Sequence, residues 1–276
     1  MRKLLSANFS RLWKDKIFLI AMVAVTVVSV IFSYLNFQNS ISSEEPAYVE
    51  DVLLNMFPVI AFVCVGFIAM FIGTEFDENT IRNKLIVGHT RTEIYFANYL
   101  VCMVASLLLL LGILLFSGIT GYFLLKTFML EWRQLAFLIL CCILCTMVFS
   151  AICVGIVMNI SKKAISLLIG LLLMFGLMML TNYFEHSLAE GEMVYERVTM
   201  TAEGVQLGDL VPNPAYVGGT ARKVMEFFFD LLPTGQATQI NNMSFDRCTR
   251  WPALSIIALS FVTLAGYLPF RRKDVR

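Results

Sequence analysis

An all-α bundle of six membrane-spanning helices is the fold this sequence predicts, and three observations predict it. The 276 residues are 58% hydrophobic and only 15% charged, with a mean hydropathy of +0.77. So few charges cannot cover a water-soluble globule of this length. Six uncharged, mostly apolar runs are long enough to cross about 30 Å of hydrocarbon, which takes roughly 20 helical residues. They lie at 17–35, 52–72, 94–125, 135–160, 164–184 and 251–270. Finally, the cations are lopsided: six spans put both termini, 73–93 and 161–163 on one side with 14 of the lysines and arginines, against 7 on the other. The positive-inside rule therefore predicts that both ends are cytoplasmic.

Ahead of the first span, Leu5, Phe9, Leu12 and Trp13 recur at helical spacing opposite Arg2, Lys3, Arg11 and Lys14. This predicts an interfacial helix over 1–16, lying in the inner headgroup layer. A cleaved signal peptide fits less well, since the following run is span-length and no small-residue cleavage pattern follows it. The first span carries Thr26, Ser29 and Ser33 on one face, and the fourth carries Ala151 and Gly155 four apart. Such residues let helices approach closely in lipid, so packing within the chain accounts for them. The first outer loop, 36–51, holds four acids and no lysine or arginine. The third span is long enough to tilt or to protrude into the cytoplasm.

Between the second and third spans, 73–95 carries its own helix signals. Glu75, Asp77 and Glu78 precede a short pattern over 81–87 that Gly88 closes, an order suited to a helix dipole and a left-handed C-cap. Thr90 and Glu93 then form a capping box that starts the next helix. A passive link between spans needs no such caps, so this segment reads as a docking element.

The long outer segment 185–250 begins as polar loop, with Pro212, Pro214 and the Gly218-Gly219 pair. Over 222–232, Val224, Phe227, Phe228, Leu231 and Leu232 share one face, with Glu226 and Asp230 opposite. Pro233 and Gly235 stop this helix, which we expect to dip into the outer interface as half of a short hairpin, either as a gate at the exit or as a stabilising lid. Asn242-Met243-Ser244 fits a glycosylation sequon, a weak motif.

Several chemistries are excluded. No span carries an ionisable residue well inside the hydrocarbon, where ion-driven carriers place their coupling groups. No glycine is followed by lysine, so the phosphate-cradling GxxxxGK[S/T] loop is absent. His89 and His186 stand alone outside the spans, which leaves no HExxH metal site or protease constellation. Cys64, Cys102, Cys141, Cys142, Cys145 and Cys153 lie inside spans as small apolar residues and only Cys248 is outside them, so no disulfide framework forms.

Three segments carry a resemblance: Gly73-Thr74-Glu75-Phe76 through Thr80-Ile81-Arg82-Asn83-Lys84, then Leu232-Pro233-Thr234-Gly235-Gln236, then the Arg271-Arg272-Lys273-Asp274 tail. Together with the six-span plan they resemble the type-2 ABC transporter permeases, nearest those of bacterial peptide-antibiotic and bacitracin export. Where relatives often have glycine this chain has Asn79, the next residue best able to adopt positive φ.

The resemblance implies the membrane half of an exporter in the bacterial plasma membrane. Two permease chains, identical or paralogous, would pair above two separate ATPase subunits that bind ATP and Mg2+, with no cofactor, nucleic acid or catalytic residue on this chain. The cytoplasmic helix would be a coupling helix, with Glu75, Ile81, Arg82, Lys84, Leu85 and Ile86 at the ATPase. Ser161, Lys162 and Lys163 would form a second contact, and Phe227, Phe228, Leu231 and Leu232 an extracellular gate. The cargo implied is an amphipathic peptide or a lipid-like molecule. The alternatives are a non-transporting membrane immunity or sensor protein, or an ion-driven carrier, which flux without any ATPase partner would favour.

Overall fold

A computed structural model describes residues 1–43, 47–195, 198–201, 204–245 and 247–273. Glu44, Glu45, Asp274 and Arg276, which the sequence reading used, lie outside the described residues. Among the described residues the chain is all-α apart from two short strand pairs, and six helical segments are long and apolar enough to cross a membrane. In order they are α2 (Lys16–Ser43), the pair α3 (Val49–Asn55) and α4 (Val59–Asp77), α6 (Arg91–Leu125), α7 (Trp132–Ile160), α8 (Lys163–Ala189) and α11 (Trp251–Arg272). The shorter helices are α1 (Arg2–Lys14), α5 (Thr80–Ile86), α9 (Gly219–Leu231) and α10 (Pro233–Asn241).

The core is built mainly by α4, α6 and α7, while α2, α8 and α11 stand at its periphery and leave long apolar faces uncovered. This inverts the pattern of a soluble bundle and suits a solvent of acyl chains. Small residues set the closest approaches. A Cβ on Gly266 of α11 would lie 2.8 Å from Gly155 Cα of α7 and 2.6 Å from the Tyr95 hydroxyl. Asn159 of α7 donates from Nδ2 to the Gly266 carbonyl at 2.8 Å. Gly73 of α4 similarly meets the side chain of Lys163 at the start of α8.

The second span is not one helix. Pro58 brings no amide hydrogen, and the turn Met56-Phe57-Pro58 separates α3 from α4. α3 is nonetheless held firmly. Its Glu50, fully buried, accepts backbone N–H groups of Met129 at 3.1 Å and Leu130 at 2.9 Å, fastening the α6–α7 connection. A buried carboxylate is tolerable there because its oxygens are hydrogen-bonded.

Part of 185–217, read from the sequence as loop, is strand. β1 (Met193–Tyr195) pairs antiparallel with β4 (Leu210–Pro212), and β2 (Val198–Thr201) with β3 (Gly204–Leu207). Pro233 ends α9 as expected, but it also opens α10 at the first helical position, where a missing N–H costs nothing.

Candidate coupling surface and its anchor

α5 is made by local rules. Asn79 ahead of it adopts the left-handed conformation at φ 56°, the geometry its side chain tolerates best after glycine. Gly88 behind it has φ 101°, and the amides of Gly88 and His89 return to the carbonyls of Leu85 and Lys84, both within 3.1 Å. Then the Glu93 amide donates to Thr90 Oγ1 at 3.2 Å and the Thr90 amide to Glu93 Oε2 at 3.2 Å, the capping box that launches α6.

The acids that precede α5 are not in its first turn. Glu75 and Asp77 belong to the last turn of α4, where the helix dipole disfavours them. For Glu75 the reason is a buried polar cluster. Only 1% exposed, its Oε1 accepts from Lys84 Nζ of α5 at 2.6 Å and from Arg11 Nη1 of α1, and its Oε2 accepts from Asn98 Nδ2 of α6 at 2.9 Å. Asn8 of α1 donates to Asn98 Oδ1 at 2.7 Å and accepts from Lys84 Nζ at 3.1 Å. Arg11 also donates to the Phe71 carbonyl, and its guanidinium lies 3.8 Å from the Phe71 ring centroid. One carboxylate thus ties four helices together.

The residues assigned to docking divide accordingly. Glu75 and Ile81, each 1% exposed, offer no surface to a partner. Lys84 is turned into the cluster and Leu85 is partly buried against the core. The free surface of the segment includes Arg82 and Asn83 with Ile86 and Val87, the last two 74% and 79% exposed. Val87, which the resemblance did not single out, extends the apolar tip by one residue.

Ser161, Lys162 and Lys163 lie at the same end of the bundle. Ser161 caps α7 at φ 63°, Lys162 is exposed, and Lys163 Nζ donates to Thr74 Oγ1 at 3.4 Å. Lys273, just beyond α11, donates to the Met158 carbonyl at 3.3 Å, to the Asn159 carbonyl and to Ser161 Oγ, a cation at the negative end of a helix. Burial pulls its pKa below the ordinary lysine value.

At the other end, the two faces of α9 are arranged oppositely to a surface helix in water. Phe227 and Phe228 are about half exposed, Leu231 and Leu232 partly so, while Asp230 is 2% exposed. Arg247 meets the polar face, at 3.2 Å from Asp230 and 3.1 Å from Glu226. Burial raises the Asp230 pKa, although Arg247 opposes the shift. Gln236 of α10 bonds the Asp230 carbonyl at 2.8 Å and receives Ser255 Oγ of α11 at 2.7 Å.

Asn8, Arg11 and Asn98 were missed from sequence. The signals available were an asparagine inside the apolar run 94–125, and the spacing Leu4, Asn8, Leu12, the three buried positions of α1.

The fold and these surfaces define a polytopic transport protein with no catalytic constellation among the described residues. A family model described as ABC-2 family transporter protein matches residues 4–181, more than half of the chain. The chain belongs to that family, as the membrane permease of an ABC transporter, and membership implies an ATPase partner. No curated protein matches it.

Proposed function

We propose that this chain is the permease of an ATP-driven exporter in a bacterial plasma membrane, both termini cytoplasmic, and that α5 receives the stroke of the ATPase through Ile86 and Val87. The observation that carries the proposal is the contrast within one short helix. Two apolar side chains stand bare at its tip, while its other face is locked by Glu75 and Lys84 to α1, α4 and α6. A helix that merely linked two spans would not hold its apolar residues in water.

ATP binding can favour a new membrane arrangement only through contacts that differ between the two states. A force at Ile86 and Val87 passes through Lys84 and Ile81 into Glu75, and from there into the ends of α4 and α6 together. The charged cluster makes these ends one body, so that the spans tilt rather than α5 alone. Arg82 offers the partner a charge at the rim, and Ser161, Lys162 and Lys163 a second, smaller contact. Two such chains, over two ATPase subunits holding ATP and Mg2+, complete the assembly that the resemblance implies. An amphipathic peptide or lipid-like cargo suits the apolar spans, and in this reading Phe227, Phe228, Leu231 and Leu232 gate its exit.

The test is co-expression with the ATPase and replacement of Ile86 and Val87 by Asp. Both positions are exposed, so the fold is preserved. Loss of ATPase co-purification and of substrate-stimulated hydrolysis is expected. An intact, fully active complex would refute the docking role.

A further inference from the structure

α9 packs beside the start of α11, and the groove between them changes character along its length. At its mouth a cavity of about 790 Å³ is lined by Lys223 and Phe227 of α9, by Arg250, and by Leu254 of α11. One helical turn further on, a second cavity of about 400 Å³ is lined by Leu231 and Leu232 on one side and Ile257 and Phe261 on the other, with Val148 of α7 and Leu177 of α8 behind. Every side chain lining this inner cavity is apolar. Lys223, Phe227 and Leu231 recur every four residues, as do Arg250, Leu254 and the pair Ile257 and Phe261 to within one residue, so each set shares one face of its helix. The inner cavity lies deep. Just beyond Leu232, the Pro233 carbonyl accepts from Cys145 Sγ at 3.1 Å and Thr234 Oγ1 donates to the Leu177 carbonyl at 3.3 Å, both partners near the middle of their spans. Lys223 precedes Leu231 by about 12 Å of helix. Arg250 immediately precedes α11. Half the hydrocarbon thickness is about 15 Å, so with the inner cavity at mid-bilayer both cations stand at headgroup depth.

Two acids also line the mouth, Glu226 and Asp230, but both are already paired. Arg247 holds Asp230 at 3.2 Å and Glu226 at 3.1 Å, and Arg222 faces Glu226 at 3.5 Å. Lys223 and Arg250 are exposed and, among the described residues, their side chains make no ion pair or hydrogen bond. The geometry points to a binding groove for an anionic phospholipid, its headgroup between Lys223 and Arg250 and one acyl chain running past Phe227 and Leu254 into the slot of Leu231, Ile257 and Phe261. Lysine and arginine at the bilayer surface attract anionic lipid. A zwitterionic headgroup carries an ammonium that finds no unpaired carboxylate at this mouth. The groove depends neither on ATPase docking at α5 nor on a gating role for α9, and it is tested without either.

The experiment uses the full chain in nanodiscs containing phosphatidylglycerol and phosphatidylethanolamine in equal amounts. A photo-crosslinking residue replaces Ile257, which is 59% exposed, and the adduct is identified by mass spectrometry. An adduct enriched in phosphatidylglycerol more than about tenfold is expected, from about fivefold for each of the two cations. Lys223→Gln and Arg250→Gln, both at exposed positions, are each expected to lower that preference about fivefold, and the double variant to abolish it while still forming a lipid adduct. Arg82→Gln and Lys162→Gln, which remove exposed cations from the opposite end, are expected to leave the preference at position 257 unchanged. Equal adducts with both lipids, a preference that survives the double variant, or one that falls equally in the two control variants overturns the assignment. So does an adduct formed with a second copy of the chain in place of lipid.

Discussion

Glu75 sits where a lone carboxylate could not be tolerated, and its three polar partners, Arg11, Lys84 and Asn98, explain why it can be buried there. Glu75→Gln leaves Arg11 and Lys84 without their counter-ion, and removing one partner from a buried ion cluster costs about 3–5 kcal/mol. A marked fall in the melting temperature of the detergent-solubilised chain is the expected readout, whereas Arg82→Gln, at an exposed position, leaves it unmoved. Asp230 behaves differently. Its pKa is raised, so folding favours the protonated form, and that favourable contribution is present at low pH and lost as pH rises through the raised value. The charged groups around it are Arg247, at 3.2 Å, and Arg250, with Glu226 sharing Arg247. Asp230→Asn, a mimic of the protonated acid, is therefore expected to melt higher than the wild type at pH 7, with the difference shrinking as the pH falls toward the carboxylate range. A difference that grows on acidification contradicts this sign.

At the scale of the element, α5 depends on two residues with left-handed backbones. Asn79→Val forces a β-branched residue to φ 56° and is expected to destabilise by about 1–2 kcal/mol, while Asn79→Gly is near neutral. Comparing the melting of the two variants checks this. These caps, the capping box at Thr90 and Glu93, and the six spans were legible because each is written in neighbouring residues or in a sustained run of hydropathy. The buried cluster was not. Asn8, Glu75, Lys84 and Asn98 are far apart in sequence, and a charged residue near a span end reads equally as exposed or enclosed until the helices are placed. For the same reason Ile81 and Leu85 read as one apolar face with Ile86, whereas burial assigns Ile81 to anchoring and Ile86 to the free surface. The break at Pro58 was written in the chain, but hydropathy averaged over a window passes across it. The strand pairs in 193–212 carried little signal, being three or four residues long, and β1 and β4 have no buried residue to impose alternation.

For the whole molecule, α4, α6 and α7 form a buried inner set, with α1 and α5 at one end and α9 and α10 at the other. α7 and α11 meet through Gly155 and Gly266 with no room for a methyl group, so Gly266→Ala must push these helices apart. A cost of about 1–3 kcal/mol follows from overpacking. The central claim is that power enters through the tip of α5 from a separate ATPase. The most direct measurement places a photo-crosslinking residue at position 87 in the co-expressed complex, with a second at exposed Trp132 toward the opposite end as the control. A covalent adduct with the ATPase from position 87, absent from position 132, is the predicted result. Crosslinking from position 132 and none from position 87 would contradict the account.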